Sequence, residues 1–328
     1  MILALDIGGT KLATAAFGLD GTVSGLLVEP TRREEGPSVI VARVFAMGRR
    51  SLALAGVGAE EVAVVGISCG GPLDAARGIL LAPPHLPGWD HVEIGPLATE
   101  EFGVPFALEN DATAAALGQW RFGAGRGAST MLYLTLSTGV GGGSVIDGRL
   151  HRGAAGNGGE LGHIMVRPGG RYCISCGRRG CLEAYCSGTN IGARAAELVA
   201  AGRPSALAGL PAISGADVSR AALAGDAVAT EVWDETTALL GQGLTDLTNV
   251  FEPELIVLGG GVTNAGDQLL DPVRRIVREQ AMGPAAGACT IVLADRPDLA
   301  GIVGAGAIGV ERAGETPLLD HTPTALLP

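Results

Sequence analysis

The sequence lacks a basic stripe. Its 23 lysines and arginines are outnumbered by 34 aspartates and glutamates, for a formal charge of -11. They are scattered rather than clustered, so a phosphate backbone has no matching surface and nucleic acid is not an expected partner. A basic leader is missing too: the apolar run that starts at Met1 is broken by Asp6, too early for a signal-peptide core. No stretch approaches an uninterrupted membrane-spanning length, so a soluble, cytoplasmic protein with no membrane partner is expected. A disulfide framework is not expected. Of the six cysteines, four lie between Cys173 and Cys186, a clustering that suits metal binding in a reducing compartment. Cys69 and Cys289 stand alone and read as small buried residues. The 53 glycines have no period, which excludes a collagen-like chain. They flank apolar β-branched runs and read as tight turns between buried strands. No tandem repeat of solenoid length occurs.

What is present is apolar mass. At 47% hydrophobic over 328 residues, the chain holds more than one compact core usually accommodates, and two domains are expected. Strands are expected at 2–6, 11–17 and 23–29, a helix at 38–55 and a buried strand at 62–68. Three prolines and a glycine make 83–89 an ordered loop. A short strand at 106–108 then feeds Glu109-Asn110-Asp111 and an alanine-rich helix at 112–122, with Asn110 or Asp111 as its cap. Strands at 130–136 and 143–147 echo the first hairpin, so two similar halves are expected. The segment 153–188 is rich in glycine and cysteine and reads as loop. Helices follow at 191–201, 217–224 and 226–250, then a strand at 255–258, a helix at 267–280, a strand at 290–294 and a helix at 299–312. A tail from Gly314 is expected to fray.

Several segments could carry chemistry. Asp6-Ile-Gly-Gly-Thr-Lys11 joins two expected strands, and its glycines let backbone N–H groups approach an anion while Thr10 and Lys11 add donors. It does not match the order of a P-loop, and no helix follows. A plain hairpin turn would account for Gly8 and Gly9; Asp6 at the strand end is additionally suited to holding Mg²⁺ through water. Ser137-Thr-Gly-Val-Gly-Gly-Gly143 is a second such turn, and Gly259-Gly260-Gly261 follows a buried strand where bare backbone could admit an adenine ring or simply allow close packing. Glu109-Asn110-Asp111 ends a strand, where a ligand crevice is expected in an α/β sheet. Capping explains one of the three polar residues; a carboxylate there can act as general base toward a hydroxyl. Glu160-Leu-Gly-His163 and Cys173-x-x-Cys176-x-x-x-x-Cys181-Leu-Glu183 offer soft ligands spaced for tetrahedral Zn²⁺, with His163 or Cys186 as the fourth. A loop with little apolar area suits a structural metal better than a catalytic one.

Assembled, these motifs resemble those of the ROK family (repressor, open reading frame, kinase) from Met1 to about Arg312. Asp6-Ile-Gly-Gly-Thr-Lys11 is similar to its first phosphate motif, Thr138-Gly-Val-Gly-Gly-Gly143 to its second, and Leu258-Gly-Gly-Gly-Val262 to its adenosine motif. Gly70-Gly-Pro-Leu-Asp74, 83–89 and Glu109-Asn-Asp111 are similar to its sugar-binding segments. The resemblance implies an ATP-dependent sugar kinase of glucokinase type, with Asp111 as catalytic base. It implies sugar contacts at Gly71, His85, Asn110, Asp111, Glu160, His163 and Glu183. Nucleotide contacts would be Asp6, Gly8, Gly9, Thr10, Lys11, Thr138, Gly139, Gly141, Gly260 and Gly261, with ATP, Mg²⁺ and a structural Zn²⁺ as cofactors. The zinc ligands it implies are His163, Cys173, Cys176 and Cys181, leaving Cys186 out. The implied fold is α/β, that of the actin, Hsp70 and sugar-kinase superfamily (ribonuclease H-like), with two domains closing over a cleft. Its domains would be 1–111 joined by the helix 299–313, 112–298 with the zinc loop 153–188, and a tail 314–328; a homodimer or homotetramer is expected. The chain departs from the family pattern at three places: His85 stands where asparagine is common, Cys173-x-x-Cys176 replaces Cys-x-Cys, and Gln119 replaces a frequent glutamate. His85 leaves the choice of sugar open, N-acetylhexosamines included. A repressor would carry a DNA-binding segment ahead of the first motif, and here that motif starts at Asp6. A catalytically idle sugar sensor is the remaining alternative, and retention of Asp111 weighs against it.

Overall fold

Continuous apolar runs rich in valine, isoleucine and leucine become the buried strands of two five-stranded sheets. The computed structural model describes residues 1–314; of the tail expected from Gly314, residues 315–328 lie outside the described residues. Among the described residues, 1–129, 143–159 and 295–314 form one compact unit, and 130–142 and 160–294 form the other.

In the first unit, strands β1 (Ile2–Ile7), β2 (Lys11–Phe17), β3 (Val23–Pro30), β4 (Val64–Cys69) and β7 (Phe106–Asn110) make a sheet in the order β3-β2-β1-β4-β7. The small hairpin β5 (Leu73–Asp74) and β6 (Ile79–Leu80) stands apart from it. Strands β1, β4 and β7 are parallel, with Asp6 opposite Ser68 and Ser68 opposite Glu109. One face of the sheet is covered by α1 (Pro37–Ala55) and α2 (Ile94–Phe102) through a core that includes Leu5, Ile67, Phe45 and Ala98. The other face carries α10 (Ala300–Arg312), whose Ile302 and Val310 pack against Ile2 and Phe17. That helix lies so close to β4 that a Cβ on Gly66 would stand 2.0 Å from the Ala305 carbonyl oxygen. Some glycines therefore serve close packing inside elements, beyond the turns expected of them. The helix α3 (Asp111–Phe122) follows β7 directly.

A second sheet runs β10-β9-β8-β11-β12, with β8 (Met131–Leu136), β9 (Val140–Ile146), β10 (Arg149–Leu150), β11 (Leu255–Gly259) and β12 (Thr290–Leu293). Strands β8, β11 and β12 are parallel. A hairpin followed by parallel strands thus recurs, as the echo in sequence suggested. The core of the second unit joins β8, β11 and β12 to α5 (Gly188–Ala200), α6 (Gly215–Leu223), α7 (Ala227–Phe251) and α8 (Asp267–Gln280) through residues such as Leu134, Leu240, Leu258 and Val273. Within 153–188 regular structure is confined to a turn of 3-10 helix at Leu161–His163, the single turn α4 (Glu183–Cys186) and the first residue of α5. Helices α2, α4 and α9 (Gly283–Ala288) were not anticipated; all are short, and α2 contains Pro96 in its first turn. No described helix is long and apolar enough to cross a membrane.

Candidate active site

The carboxyl ends of β1, β4 and β7 gather most of the polar residues singled out in the first unit. Strand β7 runs two residues further than expected, through Glu109 and Asn110, so the helix starts at Asp111. Asn110 takes the cap: its Oδ1 accepts from the N–H groups of Ala112 at 3.0 Å and Thr113 at 3.2 Å. Asp111 is left exposed in the first helical turn, its Oδ1 accepting from the adjacent Ala112 N–H at 2.8 Å. A carboxylate there is favoured by the helix dipole and open to a ligand.

Asp6 is 9% exposed. Burial lifts its carboxyl to about 6, the charge of Asp111 adds to the rise, and Lys11 and the Ser68 hydroxyl oppose it. The turn beyond it closes through Gly8 N–H donating to the Lys11 carbonyl at 3.0 Å, and the Thr31 hydroxyl donates to the Gly8 carbonyl at 2.6 Å. Thr10 and Lys11 project from this turn, exposed. His85 lies against it: a Cβ on Gly9 would stand 3.0 Å from the His85 Cβ, and one on Gly70 would stand 2.0 Å from its Cε1. Gly71 sits beside the Asn110 amide, 3.3 Å from where its own Cβ would be. Gly9, Gly70, Gly71, His85, Asn110 and Asp6 are therefore neighbours within one unit.

Glu109 was singled out only as part of its tripeptide, and its partners were not foreseen. It is 1% exposed; its Oε1 accepts from Asn110 N–H at 3.0 Å and its Oε2 from Arg152 Nε at 2.7 Å. Arg152 also reaches Glu311 on α10 at 2.5 Å. Burial raises Glu109 above the ordinary carboxylate range even with Arg152 opposing it. Gln119, for which the sequence offered no role, ties α3 to the segment entering the last helix: its Nε2 donates to the Asp295 carbonyl at 2.7 Å and its Oε1 accepts from Asp295 N–H at 3.0 Å.

In the second unit, the ends of β8 and β11 carry the other two glycine segments. Ser137 N–H donates to the Gly139 carbonyl at 2.9 Å, forming the turn that exposes Thr138 and, after Gly139, leads to Gly141 in β9. Gly260 has φ 85, and a Cβ on it would stand 2.4 Å from the Leu136 carbonyl oxygen, so no other residue fits between these strand ends. Gly261 beside it faces open space. Gly188 N–H donates to the Ser137 carbonyl at 2.7 Å, which brings the start of α5 to the same place.

The ligand atoms of His163, Cys173, Cys176 and Cys181 all lie within 4.8 Å of one another. Cys176 and Cys181 Sγ are 3.5 Å apart and Cys173 Sγ is 3.7 Å from His163 Nδ1. Zinc–sulfur bonds of about 2.3 Å place tetrahedral sulfurs about 3.8 Å apart, so this set fits Zn²⁺. The second ring nitrogen of His163 faces Glu160 at 3.8 Å. Cys186, the other candidate ligand, is buried in α4, its Sγ bonded to the Thr236 carbonyl at 3.5 Å, and burial pushes its thiol up to about 12. Glu183 is 7% exposed; its Oε2 accepts from Val140 N–H at 2.8 Å and its Oε1 from the Ser175 hydroxyl. Cys69 is buried as expected, whereas Cys289 is only half-buried, 3.9 Å from the Thr248 hydroxyl, because it lies where α9 meets the start of β12.

Comparison with known proteins adds identity to geometry. The ROK family model matches residues 2–311. The chain is 35% identical over 317 residues to a glucokinase of Thermotoga maritima, covering 95% of this chain and 98% of that protein. A ROK hexokinase from Thermus thermophilus superposes with a TM-score of 0.81 at 33% identity, covering 96% and 99% of the two chains. A ROK family glucokinase from Streptomyces griseus, solved with glucose and AMPPNP, gives a TM-score of 0.78 at 35% identity, covering 94% and 99%. The fold class is that of the actin, Hsp70 and sugar-kinase superfamily.

Proposed function

The chain belongs to the ROK family, and we propose that it transfers the γ-phosphate of ATP to a hexose hydroxyl, the 6-hydroxyl of glucose or of a close relative being the acceptor. The observation that carries this is the division of labour at β7: Asn110 caps the helix, so Asp111 is free to take the hydroxyl proton as general base. Gly71, His85 and Asn110 would contact the sugar; Gly71 lies against Asn110, and His85 against Gly9 and Gly70. The roles of Glu160, His163 and Glu183 toward the sugar, and of the glycine turns toward ATP, rest on the family pattern. Asp6 would support Mg²⁺, which when bound screens the phosphates. His163, Cys173, Cys176 and Cys181 would hold a structural Zn²⁺, which fastens their loop. The reading also carries a cytoplasmic location and a homodimer or homotetramer, the latter checked by light scattering.

The test is a panel of hexoses, hexosamines and N-acetylhexosamines in a coupled ADP assay, with Asp111→Asn run beside the parent. Loss of a general base is expected to lower kcat by about 10²- to 10⁴-fold while sugar affinity, read by calorimetry, stays. A variant that keeps most of its turnover would remove Asp111 from that role; sugar binding without ADP release by the parent would make the protein a sensor.

A further inference from the structure

Between β10 and the zinc-ligand segment, residues 151–159 form no helix or strand, yet they are tied to two of the three segments of the first unit that the family pattern assigns to the sugar, 70–74 and 109–111. At one end, Arg152 holds Glu109 at 2.7 Å, and the other oxygen of that carboxylate accepts the Asn110 N–H at 3.0 Å. At the other end, Asn157 Nδ2 donates to the Leu73 carbonyl at 3.2 Å, and its Oδ1 accepts from Leu73 N–H at 3.4 Å. Gly158 N–H closes the segment on the Arg152 carbonyl at 2.8 Å. Gly71 lies between the two anchors: its absent Cβ would stand 3.3 Å from Asn110 Nδ2 and 3.8 Å from Asn157 Oδ1.

We propose that residues 151–159 act as a strap in which Arg152 positions Asn110-Asp111 and Asn157 positions Gly71, setting the distance between two faces of the sugar subsite. This rests on the sugar-kinase reading for its link to catalysis. Glu109 is too buried to meet a substrate, so its carboxylate serves the backbone at Asn110. The guanidinium offsets its charge from outside the tripeptide, and it fixes which oxygen faces that N–H. Asn157 uses its amide as a strand would, matching the donor and acceptor of one residue, so it restrains Leu73 and through it Gly71. Neither side chain touches reacting atoms; both are positioning residues.

Arg152→Ala, Arg152→Lys and Asn157→Ala are compared with the parent by steady-state kinetics, by unfolding midpoint and by hydrogen exchange of the peptides covering 69–74 and 106–113. The expected result is a sugar KM raised about tenfold or more in Arg152→Ala, with ATP KM changed less than about twofold. Arg152→Lys restores the charge without the fork and recovers part of the loss, and millimolar guanidinium recovers part of it in Arg152→Ala. Exchange rises in 106–113 for Arg152→Ala and in 69–74 for Asn157→Ala, each segment answering to its own anchor. Equal damage to sugar and ATP KM with a fallen midpoint and no guanidinium rescue would reduce Arg152 to an ordinary ion pair and overturn the proposal. Unchanged exchange in both peptides would overturn it too. If the parent phosphorylates no hexose, the functional reading fails on that result, and the strap is judged on exchange alone.

Discussion

Asp6 gives a prediction in which function and stability oppose each other. In the folded protein its carboxyl is raised from 3.8 to about 6, first by burial and then by the Asp111 charge. The native state therefore holds this proton more tightly than the unfolded chain does. Below about pH 4 the group is protonated in both states and has no effect. Between pH 4 and 6 the unfolded chain ionises first, so stability falls as pH rises, and above pH 6 the full penalty remains. A rise of about two pH units corresponds to about 3 kcal/mol. The perturbation is Asp6→Asn, nearly the same shape without the charge. With EDTA present and no nucleotide, urea unfolding is followed from pH 4 to 8, at low protein concentration because the pI is about 4.9. The variant is expected to be more stable than the parent by about 3 kcal/mol at pH 8, the advantage shrinking toward pH 4. Its turnover should collapse, since the same carboxylate is proposed to support the metal–nucleotide complex. An advantage that is absent at pH 8, or equal at pH 4 and 8, would refute the claim that a buried, destabilised charge is retained for function.

Three further outcomes follow from the geometry. Removing His163 by substitution with alanine should release zinc, read as metal content per chain, while Cys186→Ala leaves it unchanged, because the Cys186 thiol is bonded to the Thr236 carbonyl; the reverse pattern would move the fourth ligand. Gly66→Ala should destabilise the first unit by about 3 kcal/mol, the upper end for overpacking, since its Cβ would meet the Ala305 backbone; parental stability in urea would show that β4 and α10 are not so close. Lys11 is the single lysine of the sequence, so an amine-reactive reagent can modify only it and the N-terminus; mass spectrometry should find Lys11 labelled with loss of activity and shielded by ATP, and labelling indifferent to ATP would take it out of the nucleotide site.

What could be read from the sequence and what could not divides along a physical line. Buried strands announce themselves by composition: β1, β4 and β11 are nearly unbroken apolar runs, and each was expected within two residues of where it lies. Helix α2 was not legible because its nine residues carry a glycine and a proline in the first turn, and tertiary contacts of Ile94 and Ala98 hold it instead. The zinc set was nearly complete from spacing, since Cys173, Cys176 and Cys181 lie within nine residues of chain. The choice between His163 and Cys186 was not, because it depends on α4 turning Cys186 toward α7.

The same limit governs Asp111, the proposed catalytic carboxylate. Local sequence allowed either Asn110 or Asp111 to cap α3, and the two assignments predict different chemistry for the same three letters. What decides between them is the register of β7 against β4, which continues the strand to Asn110. Glu109 is fixed by Arg152, 43 residues away in sequence, and Arg152 is held in turn by Glu311 at a separation of 159. No local pattern encodes such a triad. The role proposed for Asp111 as a base thus rests on long-range pairing that places Asn110, and not Asp111, at the helix end.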